Sequence, residues 1–302
     1  MTVATLRPNA DTSYSAAWSI GGGSPTHSVA LADANDATYS RNAAFVNDAL
    51  LVQLDTIAWP AEDVRIVGVR IKIRGYRGAT FNSTRATTRL EATSDPTADD
   101  WQTTGTVAAY DGIVRTRAPN GQAWTRGAID YLGILLYANY QPDVYITRLD
   151  VDVTYHKPPV VVLTGPTGTQ TTSRPTIAWT TSQEDGFVQT HWEAKVFTAA
   201  QVAAAGFDPA ISTPVAGSGV RTGSQASWIL GATGGGELSG DGTPTLDLDQ
   251  GNYSVYLRAA DTLLGEPHWS LWDDQTFSVA YDFPSTPILV AKFTQGTSSP
   301  RT

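Results

Sequence analysis

The sequence predicts an all-β protein made of two β-sandwich domains in series. Three observations carry this: a length of 302 residues, short β-branched and aromatic runs cut by Gly, Pro, Asn and Asp, and a Lys157-Pro158-Pro159 break between two different strand patterns. A single core stops growing near ~300 residues, so two domains is the expected count. The 27 Gly, 17 Pro, 9 Trp and 12 Tyr, with abundant Thr and Val, favour strands and turns over helices. With no cysteine, disulfides and thiolate metal sites are excluded, and packing must hold each sandwich.

In the first half, Ser13 to Ile20 reads as a strand stopped by Gly21-Gly22-Gly23-Ser24-Pro25. Ser28 to Leu31 reads as another, stopped by Asp33-Ala34-Asn35-Asp36, and Ala49 to Leu54 as a third. From Val64 to Tyr76, Val67, Val69, Ile71 and Ile73 alternate with Gly68, Arg70, Lys72 and Arg74, the period of a half-buried strand. Further strands are expected at Thr87 to Ala92, Trp101 to Tyr110, Gly112 to Arg117 and Gly133 to Tyr137. Asn120 to Leu132 predicts at least one helical turn over the sheet. The last strand, Val144 to Tyr155, slips its alternation at Thr147-Arg148, as a bulge would. About ten short strands in one domain fit a double-sheet jelly roll better than an open sheet. The expected domains are 1–156, a jelly-roll β-sandwich, then 157–283, a second sandwich, then 284–302, an extension with one strand at Ile288 to Phe293.

Net charge is -9. Residues 1–157 carry 14 basic and 16 acidic side chains, and residues 158–302 carry 6 and 13, so the acidic second half disfavours a nucleic-acid backbone. The first residues lack a basic stretch followed by a long apolar one, so export by a secretory signal is not expected. The most apolar run, Ala128 to Ala138, contains Asp130 and falls short of the ~20 residues of a spanning helix, so membrane insertion is not expected.

After the proline break, Thr176-Ile177-Ala178-Trp179 looks like the second strand of a fibronectin type III domain with its core tryptophan. Leu248-Asp249-Gln250-Gly251-Asn252-Tyr253 and the strand after it resemble that family's leucine, turn glycine and corner tyrosine. Trp269-Ser270-Leu271-Trp272 before Thr276-Phe277-Ser278-Val279 is similar to its last strand. The resemblance implies a fibronectin type III/immunoglobulin-like sandwich in which the Tyr253 hydroxyl ties a loop to the sheet. It is extended by a short helix within Phe197 to Gly206 and a long loop at Gly231 to Asp241.

The whole chain resembles a minor tail protein of the long-tailed bacteriophages that infect actinobacteria. That likeness rests on Leu6-Arg7-Pro8-Asn9-Ala10-Asp11, the Trp18 strand and its glycine turn, Asp36-Ala37-Thr38-Tyr39, the Val64 to Arg74 strand, Phe197-Thr198-Ala199-Ala200-Gln201 and Gly206-Phe207-Asp208-Pro209. It implies a non-enzymatic virion component near the tail tip, assembled in the host cytoplasm as a homo-oligomer with other tail proteins and in contact with the host envelope. The alternative is an adhesin that recognises a host cell-wall carbohydrate.

No catalytic set emerges. His27, His156, His191 and His268 lack metal spacing, and each is expected to be structural or at the surface. Asp247-Leu248-Asp249-Gln250-Gly251 begins like a calcium loop, but Arg258 stands where the bidentate glutamate belongs. Asp33, Asn35 and Asp36 are the better hard-cation candidates, although turn chemistry explains them equally well. Asp99-Asp100 and Asp273-Asp274 read as solvated loop charge, and Gly234-Gly235-Gly236 as a flexible loop. Neither a cofactor nor a resident metal is expected. Arg65, Arg70, Lys72, Arg74 and Arg77 form a basic stripe, with Arg70, Lys72 and Arg74 the candidates for an acidic partner. Of Trp18, Trp59, Trp101 and Trp124, Trp59 and Trp101 flank turns and are the candidates to stack on a glycan.

Overall fold

The computed structural model describes residues 1–14, 18–22, 24–33, 35–42, 49–77, 83–90, 93–102, 106–139, 144–183, 186–230 and 247–281. The expected strand at 288–293 and the loop at 231–241 lie outside these residues. The described chain is all-β, with three short helices. It divides into two compact units. The first is Met1–Val160 with Ser182–Thr190 and Ala259–Leu271; the second is Val161–Thr181, His191–Arg258 and the described residues from Trp272 onward.

The first unit runs β1 (Thr2–Leu6), β2 (Pro8–Tyr14), β3 (Trp18–Gly21), α1 (His27–Ala32), β4 (Tyr39–Asn42), β5 (Ala49–Leu54), β6 (Arg65–Arg77) and β7 (Ser83–Leu90). It continues with β8 (Thr93–Ser94), β9 (Asp99–Gln102), β10 (Ala108–Arg115), α2 (Arg126–Asp130), β11 (Leu132–Asn139) and β12 (Val144–His156). One sheet has the order β10-β6-β12-β4-β3, with β1 also on β12; the other is β2-β5-β11-β7-β8, with β9 also on β7. Successive strands from β4 to β7 and from β9 to β12 alternate between sheets, which gives the β4-β12-β6-β10 and β5-β11-β7-β9 orders of a jelly roll.

Alternation supplies the core. Val69, Ile71 and Ile73 of β6 and Leu149, Val151 and Val153 of β12 meet Leu50, Val52 and Leu54 of β5 and Leu132, Ile134 and Leu136 of β11 in one buried cluster. The β6–β12 register shifts between Ile146 and Arg148, where the alternation predicts a bulge. The stretches around Trp101 to Arg117 divide differently from expectation. Residues 108–115 form one edge strand, whose register against β6 shifts between Asp111 and Val114.

Ser28 to Leu31, expected as a strand, is instead part of α1. Short apolar runs do not distinguish the two states, and capping decides this one. The Thr26 hydroxyl accepts from the Val29 N–H, while the His27 and Ser28 N–H groups donate to the Asp11 carboxylate at 3.0 and 2.6 Å. Asp99, expected as solvated charge, is buried: Arg115 donates to it at 2.8 Å and to Asp95 at 3.0 Å, and the Ile113 N–H donates to its other oxygen. Gly112 permits this approach, since a Cβ there would collide with the Asp99 carboxylate.

The second unit contains β13 (Val160–Gly165), β14 (Gly168–Gln170), β15 (Thr176–Ser182), β16 (His191–Thr198), α3 (Ala199–Val202), β17 (Ala216–Gly217), β18 (Arg221–Thr222), β19 (Ser227–Ile229) and the part of β20 (Gly251–Leu263) up to Arg258, the rest of β20 belonging to the first unit. After β21 (Glu266–Trp269), β22 (Asp273–Val279) closes its larger sheet. A three-stranded sheet β13-β15-β19 accompanies one of order β14-β22-β20-β16-β17, with β18 also on β16. Trp179 and Trp192 pack between them with ring centroids 5.1 Å apart, and the Tyr253 hydroxyl donates to the Asp249 carbonyl at 3.0 Å, the tie expected of a corner tyrosine. α3 forms where a short helix is expected, and Thr198 and Gln201 close a capping box.

Two stability predictions follow from these buried polar groups. Arg115→Ala strands the Asp99 carboxylate, so calorimetry should show a loss of ~3–5 kcal/mol, and an unchanged melting temperature would refute the role given to the pair. Burial holds the His27 imidazole below its ordinary value, against the opposing pull of Asp11. The unfolded chain therefore takes up a proton that the folded chain refuses, and stability falls as pH drops below ~6.5. Urea midpoints between about pH 7.5 and about pH 5.5 should fall less steeply for His27→Gln than for the parent.

Candidate metal centre

The described residues contain one cluster of metal-ligating side chains, His156, Asp261 and His268, and all three belong to the first unit. Its geometry starts from a hairpin. Strands β20 and β21 are joined by Leu264 and Gly265, both at positive φ (56° and 86°), the backbone of a two-residue hairpin turn. That turn sets Asp261 directly opposite His268. Directly opposed side chains leave the same face ~5 Å apart. Arg65 holds the hairpin from outside, donating to the Pro267 carbonyl at 2.9 Å and to the Leu263 carbonyl at 3.4 Å.

His156 is the last residue of β12 and pairs with Arg65 in the ladder. Strand alternation alone would turn it outward, yet it is only 1% exposed. Phe187, from the 182–190 segment of the same unit, covers its ring at 4.2 Å, and the His268 ring lies 5.3 Å away. His156 Nε2 donates to Asp261 Oδ2 at 2.6 Å, and the Gln183 amide also donates to that oxygen. His268 Nε2 donates to the Asp63 carbonyl at 2.8 Å, and burial is the main cause holding this imidazole below its ordinary pKa and neutral. One ring nitrogen from each histidine and one Asp261 oxygen lie within 4.8 Å of one another. Asp261 Oδ1, His268 Nδ1 and Gln183 Oε1 are buried with no protein hydrogen bond. Each such group costs ~1–3 kcal/mol if left unsatisfied.

The residues singled out in the sequence lie elsewhere. Asp33 accepts from the Thr38 hydroxyl and the Asn35 N–H, and the Asn35 side chain accepts from the Ala37 N–H, so both make turns. Asp36 binds Arg74 through two bonds of 2.7 and 2.6 Å, which holds its carboxyl below the usual range. Lys72 pairs with Asp152 at 3.1 Å and Arg70 approaches Asp111 at 3.8 Å, so acids from neighbouring strands answer the basic stripe. Arg65 departs from it to clamp the hairpin, and the side chain of Arg77 lies outside the described residues.

Trp101, expected to stack on a glycan, is 7% exposed and part of the core, with its indole N–H donating to the Asp111 carbonyl. The correction has a simple cause: flanking a turn does not keep a large ring out of a sandwich. Trp59 is half-buried, packs edge-on against Tyr155 at 5.6 Å, carries Arg126 over its ring and donates to Asp130. Sequence reasoning missed a different aromatic group: Tyr76 and Tyr145 stack at 4.5 Å, Tyr39 meets Tyr145 edge-on at 5.0 Å, and all three are half-buried.

No protein-family model and no curated protein matches the chain. Among solved structures it is similar to apo β-glucuronidase 3 of Bacteroides uniformis, at 12% identity and a TM-score of 0.23, covering 78% of this chain and 27% of that one. It is also similar to the FMN-binding β-glucuronidase of Facaelibacterium prausnitzii, at 10% identity and a TM-score of 0.25, covering 90% and 39%. The chain thus spans well under half the length of either.

Proposed function

We propose that the chain is a structural, non-enzymatic subunit of a long-tailed phage's tail, packing through β-sandwich faces against copies of itself within an assembly of other tail proteins. The tail assignment rests on the sequence resemblance. The observation that supports self-assembly is the outer face of the β13-β15-β19 sheet. Buried Val161, Leu163, Ile177, Trp179 and Trp228 point inward along these strands, which leaves Val162, Thr164, Thr176, Ala178, Ser227 and Ile229 on the other side. None of these six is charged, and Val162 and Ile229 are each 51% exposed. The second copy is the occupant that suits such a face. Two chains of net charge -9 repel one another, and contact through an uncharged β-branched surface keeps the acids apart.

A carbohydrate-binding adhesin is the second reading, and it now draws its support from Tyr39, Tyr76 and Tyr145 rather than from Trp59 and Trp101. Half-buried tyrosine rings offer a sugar both an apolar face and a hydroxyl.

Sedimentation across a concentration series should show self-association that Val162→Lys or Ile229→Lys weakens by at least about tenfold, the effect of ~1.4 kcal/mol. A monomer at every concentration would sink the assembly reading, as would the chain's absence from purified phage particles. On a glycan array, a saturable signal lost with Tyr145→Ala but kept by Trp101→Phe would favour the adhesin instead.

A further inference from the structure

The buried cluster carries an inference independent of the tail reading. His156, Asp261 and His268 are each no more than 1% exposed, and their ligand atoms already converge within 4.8 Å. The bond from His268 Nε2–H to the Asp63 carbonyl fixes the tautomer, so Nδ1 carries the lone pair; a carbonyl or carboxylate in this position is the usual orienting partner of a metal-bound imidazole. Asp261 Oδ1, in the same cluster, is a buried acceptor with no donor from the protein. Buried acceptors gathered around an imidazole nitrogen are groups that a cation satisfies and a purely hydrogen-bonded core leaves at a cost.

We propose that His156, Asp261 and His268 form a structural binding site for a zinc-class divalent cation, with the side-chain oxygen of Gln183 as fourth donor and the ion taking the place of the proton that His156 Nε2 now gives to Asp261. Two imidazoles with two oxygens suit a four-coordinate transition ion, whereas calcium and magnesium require six or more oxygens or retained waters. The Gln183 oxygen reaches the ion by exchanging places with its amide nitrogen, a rotation that also removes the donor now on Asp261. Three separate stretches supply the donors: the end of β12, the 182–190 segment and the 259–271 hairpin, all within the first unit. The ion is therefore a cross-link among them, and burial of His156, Asp261 and His268 makes the site closed rather than catalytic.

The test uses the full chain. Protein purified with Zn2+ and then desalted is assayed for metal by elemental analysis, and chelator-treated protein is titrated with Zn2+ while its melting temperature is followed. One zinc per chain is expected, with a melting temperature that rises with Zn2+ and not with Ca2+ or Mg2+. Asp261→Asn and His268→Gln should each weaken binding by at least about tenfold, whereas His191→Gln should not. Co2+ bound to the parent chain should show the strong visible absorption of four-coordination, a readout that survives even if a ligand variant fails to fold. Absence of stoichiometric zinc, a six-coordinate cobalt spectrum, or full binding by folded Asp261→Asn and His268→Gln would each overturn the proposal.

Discussion

The ladder between β6 and β12 is the constraint on which the rest of the first unit depends. Each strand is 13 residues long, and their register fixes three things at once. Facing inward, Val69, Ile71 and Ile73 lie beside Val153, Val151 and Leu149 and form the centre of the buried cluster. Facing outward, Arg70 lies opposite Asp152 and Lys72 opposite Asp150. At its end the ladder pairs Arg65 with His156, so the clamp on the hairpin and the first candidate ligand come from one rung.

The outward face shows why a charge pattern read along one strand misleads. Arg70, Lys72 and Arg74 look like an unbalanced stripe only while their strand is considered alone. Asp111 comes from β10, Asp152 from β12 and Asp36 from the turn before β4, and these acids bring the face near neutrality. The pairs are substantially exposed, so each contributes little to stability, at most ~1 kcal/mol. Their larger effect is on recognition: an acidic partner would have to displace bonds already made. The uncharged face of the smaller sheet in the second unit asks nothing comparable of a partner.

The sandwich architecture was legible because alternation along one strand is a local property. The strands from Arg65 and from Val144, the bulge near Thr147, the capped helix after Thr198 and the corner tyrosine each depend on residues within about ten positions. Failures arose where distant residues decide. Asp11 turns 27–32 into a helix by accepting from its first N–H groups, Arg115 takes Asp99 out of solvent, and a core takes Trp101. His156 stands 105 positions before Asp261, too far for any spacing rule to join them. A local signal did exist for half of the site. Once residues 264 and 265 are known to form a two-residue turn, Asp261 must face His268. Leucine at the first turn position hid it, since Asn or Asp before Gly is the usual sign.

That leucine also shows how firmly the hairpin is held. A side chain at φ 56° costs ~1–2 kcal/mol, and Leu264, at 81% exposed, recovers almost none of it by burial. Contacts on either side of the turn must impose the conformation. Arg65 binds carbonyls on both of its sides, at Leu263 and Pro267, while the Asp63 carbonyl receives His268. A slip of one residue in β21 would break these bonds together and send the His268 side chain to the opposite face. Register in this hairpin is therefore over-determined by groups from the start of β6 and the residues before it, and the convergence of Asp261 with His268 is a consequence of that register.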